Sequence, residues 1–592
     1  MPGNTFVSAA RFAAAAGVAA LVFGGASWRS AEPLPFLDPA TLASSVCGGK
    51  SERAFVAFAQ AAARAEPNVP SLKKSARAPL VYKAFHRKIT TSSAEAQAWF
   101  DEGLAHYANF DHDAAARAFQ KAQQADPECA MCFWGEALSY GPNINAPMAD
   151  EKVAPANAAV RRAAALKRKA DPSERELIDA LSRRYPKSPV KDRAPFDEAF
   201  ADALEALAKK RADDSFILTL AAEAAMTTQP WTYWAPDGRT PDGRTAQALR
   251  HIETALKRDP NDVVAIHLYI HLTEASFDPH RAIPYAERLA ALTPGLGHLI
   301  HMPAHTYYRI GRYKQSLELN RQAAAADEAW IRAGEAGPTY QYGYYVHNLH
   351  FILTSAQMAG DGATALEMAA KLDENLPEQF VDAAPFSQPI KAAPFFAMAQ
   401  YASPASVLAA PRPGKEYPFL EGAWRYARGS ALLREGDVAA ARAEAAALKT
   451  LVEQADFTAL VEATIPAADI LAVAERTLEA RALAAEGKLS EAIEAMTEAV
   501  GRQETLNYNE PPYWYYPAKQ TLAALNLRAG NAERAEQLFM ESLVEAPNDG
   551  RSLFGLAEAL AAQKDRAGAR FARALFRKAW AGDPKSLRID QL

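Results

Sequence analysis

At 592 residues, with 49% hydrophobic and 23% charged side chains, the chain is too long for one core and too apolar for global disorder, so several domains or a repeat array are expected. A net charge of −5 and a pI near 6.2, with Lys and Arg scattered among acids, leave no basic field and argue against nucleic acid as a partner.

Arg11 precedes an apolar, small-residue run from Phe12 to Ala26 that ends in Gly24-Gly25-Ala26. This is the pattern of a secretory signal peptide over residues 1–26. The run is short for a membrane span and nothing later approaches 18 apolar residues, so cleavage is favoured over an uncleaved anchor. The mature chain is expected to be exported, to a periplasmic location, with no membrane span. Residues 27–94 read as a Pro-containing linker around a short helix, Glu52–Ala65.

From residue 95 the chain is helical almost throughout, with paired helices and a recurring punctuation. Gly103, Ala115, Phe119 and Ala122 fall between Trp99 and Pro127. The spacing recurs near the C-terminus at Gly487, Ala492, Met496 and Ala499, at Gly530, Ala535, Phe539 and Pro547, and at Ala572, Phe576, Ala579 and Pro584. Small residues let two helices cross closely, an aromatic fills the gap, and Pro opens the next unit. The array divides into N-terminal repeats over 95–262, histidine-rich repeats over 263–380 and C-terminal repeats over 381–592.

Cys129 and Cys132 form Cys-Ala-Met-Cys, and no His follows Cys132, which excludes a c-type haem attachment. Two small buried side chains or a local disulfide are favoured over a redox pair or soft metal ligands. With Cys47 the count is three, so at least one thiol stays unpaired within the chain. Two segments interrupt the array. Residues 229–245, with Trp231, Tyr233, Trp234 and a doubled Pro-Asp-Gly-Arg-Thr, form a turn-rich insertion, either a lid or a surface loop. Asn507–Pro517 is an aromatic connector, read as packing between repeats rather than as a partner site.

Seven of the twelve histidines, His267, His271, His298, His301, His305, His347 and His350, share one register of the repeats within 84 residues. Taking Ala282 and Pro294 as the unit's Ala and Pro starts one unit at Val263, with His267, His271 and Glu274 at positions 5, 9 and 12. Gly311, Ser316 and Ala323 start the next at Gly297, with His298, His301, His305 and Tyr308 at 2, 5, 9 and 12. Gly360 and Ala365 start a third near Val346, with His347 and His350 at 2 and 5. Positions 2, 5, 9 and 12 form one stripe of a helix, and imidazoles four apart stand one turn above each other, where they can share a metal ion. Pro303 lies inside the helix of His301 and His305 and is expected to kink it. His106, His112 and His280 fall off the stripe and read as structural; His86 and His251 receive no role.

The 34-residue punctuation resembles the tetratricopeptide repeat. Longer motifs resemble a bacterial subfamily of such proteins: Cys129-Ala-Met with Trp134-Gly-Glu-Ala137, Gly141-Pro-Asn-Ile-Asn-Ala-Pro-Met148, His267-Leu-Tyr-Ile-His271, His298-Leu-Ile-His301-Met-Pro-Ala-His305, and Glu510-Pro-Pro-Tyr-Trp-Tyr-Tyr-Pro517. The resemblance implies an all-α, helical-hairpin solenoid in which the stripe of each first helix lines a concave groove, and such arrays resemble peptide-binding scaffolds.

Three functions follow as expectations. The first is a binding protein whose groove holds a transition metal on His267, His271, Glu274, His298, His301, His305, His347 and His350; nitrogen ligation suits zinc, copper, iron or nickel rather than calcium or magnesium. The second is a metal-dependent hydrolase or oxidase on the same histidines, with Glu274 as the in-register general base. The third is a metal-free scaffold binding a protein or peptide through the histidines and Tyr307, Tyr308, Tyr344 and Tyr345. No nucleophile elbow, phosphate loop, dinucleotide fingerprint or His-Glu-x-x-His motif supports another chemistry.

Overall fold

The computed structural model describes residues 77–592; the apolar N-terminal run, Cys47 and the expected Glu52–Ala65 helix lie outside them. Regular structure among the described residues is helical, from Ala94–Ala108 to Arg566–Ala579, and extended backbone pairs only at the isolated bridge Trp234–Pro241. Many helices begin at an Asp whose side chain accepts an otherwise orphaned N–H of the first turn. Asp111, Asp214, Asp262, Asp361, Asp437, Asp549 and Asp565 all do this.

Helices pack chiefly on their chain neighbours, as hairpins in series. The packing is that of small residues around an aromatic. A Cβ placed on Gly103 would stand 2.6 Å from the Phe119 ring, and one on Gly135 2.5 Å. Phe119 is therefore clasped by two helices that only glycine lets this close. No described helix is long and apolar enough to cross a membrane. Cys129 and Cys132 form a disulfide at the start of the Ala130–Ser139 helix. Alkylation of denatured, unreduced protein is accordingly expected to label Cys47 alone, and all three cysteines after reduction; labelling of the pair without reductant would contradict the bond.

The array also folds back on itself. Asn109, beyond the first helix, accepts from the Leu299 amide at 3.2 Å and donates to the Tyr340 hydroxyl at 2.9 Å. His106 stacks on Trp330 at 4.8 Å. From the other end, the Lys314 ammonium donates to the carbonyls of Lys578 and Trp580 at 2.8 and 3.1 Å, and the Ala581 amide to the Ala359 carbonyl at 2.7 Å. First and last repeats thus both close onto the middle, where the histidines lie.

Candidate metal centre

Three helices carry the histidine stripe: Val263–Glu274, Gly297–Arg309 and Val346–Ala359. Their starts coincide with the units read from the sequence. Asp262 caps the first, accepting from Val264 and Ala265 at 3.1 and 3.0 Å. Gly297 opens the second because a Cβ there would collide with the Asp327 carboxylate. Pro303 sits inside this second helix and leaves one backbone carbonyl without its usual donor. A π-helical stretch, Tyr340–Tyr345, leads into the third.

Seven of the eight expected residues converge, with the six histidine rings in two triads. His267, His271 and His298 form one, and His301, His305 and His347 the other; within each, one ligand atom per residue lies within 4.8 Å of the others. In each triad one aromatic ring meets all three imidazoles. Phe110 lies 4.6–5.9 Å from the first three rings and Phe351 4.6–5.0 Å from the second three. His350 is placed elsewhere, its Nε2 3.0 Å from the Tyr515 hydroxyl. The other histidines stay off the cluster: His86 meets Asp101, His251 meets Glu205, His280 lies 3.8 Å from Asp278, and His112 stacks on Tyr107.

Hydrogen bonds fix the proton positions in the second triad. Asn320 donates its NH2 to the Ser316 carbonyl at 2.7 Å, so its Oδ1 faces His301 Nδ1 at 2.5 Å, and that nitrogen must donate. His301 Nε2 is then a bare lone pair. His305 Nδ1 hydrogen-bonds the Glu510 carboxylate and pairs with Glu274 Oε2 at 2.7 Å. Its Nε2 points at His301 Nε2 across 2.6 Å and at His347 Nε2 across 3.5 Å. Facing lone pairs at 2.6 Å repel, so a positive charge belongs between them. Without a metal, that charge is a proton on His305. Burial opposes its imidazolium, but Glu274 and Glu510 override this and push its pKa up to about 10. Burial, reinforced by neighbouring imidazoles, holds His267, His271, His298, His301 and His347 well below the usual range, so they are neutral and able to ligate at pH 7.

Glu274, expected as a general base, is fully buried, with Oε1 3.1 Å from His271 Nδ1 and Oε2 on His305 Nδ1. It orients two imidazoles rather than standing free to take a proton from substrate. Glu510 was missed by the sequence reading. Its carboxyl, raised to about 7 by burial and by Glu274, reaches His305 from the aromatic connector, 205 residues away in the chain. Its only sequence signal was a lone acid opening the Glu510–Pro517 motif. The connector also walls a cavity of about 180 Å³, lined by Tyr308, Arg309, Tyr508, Glu510 and Trp514 among others. The 229–245 insertion packs on the first histidine helix: Trp231 meets the His271 ring edge-on at 5.3 Å, and Trp234 Nε1 donates to the Leu272 carbonyl at 2.7 Å. Tyr307, Tyr308, Tyr344 and Tyr345 are all buried, and so are not open groove contacts.

Among known proteins, the family model for the tetratricopeptide repeat matches residues 96–129. No curated protein matches the chain in sequence. Among solved structures, the human IFIT1 dimer with PPP-AAAA is 12% identical over 82% of this chain and 91% of that one, at a TM-score of 0.28. Yeast Tom70 is 13% identical over 81% and 92%, at 0.25. Superpositions this loose say nothing about what this chain binds. The matched repeat, and the serial hairpins built on its spacing, make the chain an all-α solenoid of tetratricopeptide type.

Proposed function

We propose that this solenoid is a metal-binding protein whose closed interior holds a transition metal ion on His301, His305 and His347. The observation that carries this is the convergence of Nε2 atoms whose Nδ1 partners are already donors on His301 and His305. A divalent ion can take the place of the proton between them, with Glu274, Glu510 and Asn320 as the outer groups that orient the imidazoles. Three nitrogens suit zinc, copper or iron at about 2.0–2.1 Å if the ion is zinc. The test is elemental mass spectrometry on protein purified without chelators: about one ion or more per chain is expected, and none even after reconstitution would refute the site. Glu510→Gln is expected to weaken binding about 10–100-fold, as loss of an outer carboxylate does; unchanged affinity would remove Glu510 from the site.

A solenoid of this type is also suited to binding protein partners, but a peptide laid along the histidine stripe would first have to displace Phe110 and the connector. An enzymatic reading draws support from the cavity, which brings solvent space to Glu510 beside His305. On that reading the metal-loaded protein turns over a test ester or, loaded with copper or iron and given an added thiol or ascorbate as reductant, reduces oxygen, and Glu510→Gln abolishes the turnover; inert loaded protein leaves a binding role. Export remains part of the proposal, supported by the disulfide, which persists in oxidising compartments. The mature protein should then begin at Ser27, which N-terminal sequencing of the exported form decides.

A further inference from the structure

We infer that His267, His271 and His298 hold a second ion of the same kind, so that the centre is dinuclear, with Glu274 joining its two halves. The inference rests on the first site and deepens it. His271 Nδ1 is committed to Glu274 Oε1, which leaves Nε2 as an acceptor; that atom is buried and has no hydrogen-bond partner. His298 presents Nε2 to His267 Nε2 at 3.1 Å, while its own Nδ1 is also buried without a partner. The His267 ring makes a further hydrogen bond to the Ala108 backbone. A bond between two imidazoles would account for one pair of nitrogens and strand the other two. One cation among the three rings accounts for the orphaned acceptor and for the convergence together.

The ligand atoms fall into two separate groups, one per triad. The ring centroids run on without a gap, 4.5–6.0 Å apart within the triads and 6.1 Å from His271 to His305 and from His298 to His301. The Glu274 carboxylate spans the two groups, one oxygen on His271 Nδ1 and the other on His305 Nδ1. It is a positioning residue for both triads, whereas Glu510 touches only His305.

The test is a cobalt(II) titration of metal-stripped full-length protein, followed by visible absorption. Wild type is expected to saturate at two equivalents, and His267→Ala/His298→Ala and His301→Ala/His347→Ala at one each. His271→Gln, which preserves side-chain bulk, is expected to weaken only one equivalent, and so answers the question if the double variants fail to fold. Glu274→Gln is expected to weaken both equivalents about 10–100-fold, and Glu510→Gln only one. Wild type saturating at one equivalent, with His267→Ala/His298→Ala unchanged, would overturn the second ion while leaving the first. No cobalt bound by folded wild type would overturn both.

Discussion

His301→Ala/His305→Ala is expected to fold and to come through chelator-free purification without the ion of that triad, keeping only what His267, His271 and His298 hold. Both rings belong to the same triad, and they contact Asn320 on one side and Glu274 and Glu510 on the other. Losing even an outer partner of a ligand commonly costs about 10–100-fold in affinity, so losing two ligands should exceed that. The wild type should also lose stability when stripped, because an ion that binds only the folded state stabilises it by about 2.7 kcal/mol at a hundred times its Kd. A chelator should therefore lower the wild-type melting temperature by more than that of the variant. Equal responses to the chelator would disprove the assignment. The double substitution also leaves Glu274 and Glu510 buried against each other without His305, so its baseline stability should fall whether or not metal is present.

Gly311→Ala is expected to loosen the C-terminal repeats from the middle of the array and to weaken metal retention at a distance. Gly311 follows the second histidine helix at a φ of +73°, and a Cβ there would stand 1.8 Å from the Pro547 carbonyl. The left-handed backbone alone costs a residue with a Cβ roughly 1–2 kcal/mol, and the collision with a backbone atom adds to it. Pro547 opens the unit that begins at Gly550, so the clash pushes on the arm whose closure covers the histidines. A lowered melting temperature with faster loss of metal to a competing chelator is the expected result. A variant as stable and as retentive as wild type would show that the two ends of the array do not meet there.

The register of the histidines was legible from the chain because the helical period and the repeat spacing fix it locally. Val263, Gly297 and Val346 begin helices where the motif placed them, and His267/His271 and His301/His305 stack a turn apart. Periodicity names a face, however, and not what covers it. His350 shares the stripe, yet its ring meets Tyr515, 165 residues on. Glu510 and Phe110 lie in connectors, whose irregular backbone has no period to read, and they reach the site only because the solenoid closes. That closure rests on contacts such as Asn109 with Tyr340 and Gly311 with Pro547, between residues more than 200 apart. Glu274 was found by its spacing from His271, but its role was not: only the second carboxylate oxygen, turned to His305, shows that it serves two rings.

X-ray absorption at the edge of the bound metal, on protein purified without chelators, tests the central claim most directly. A shell dominated by imidazole nitrogen, near 2.0–2.1 Å if the ion is zinc, with the metal content reduced in His301→Ala/His305→Ala, is the predicted result. Folded protein that takes up no metal, or a metal surrounded by oxygen or sulfur alone, would contradict it.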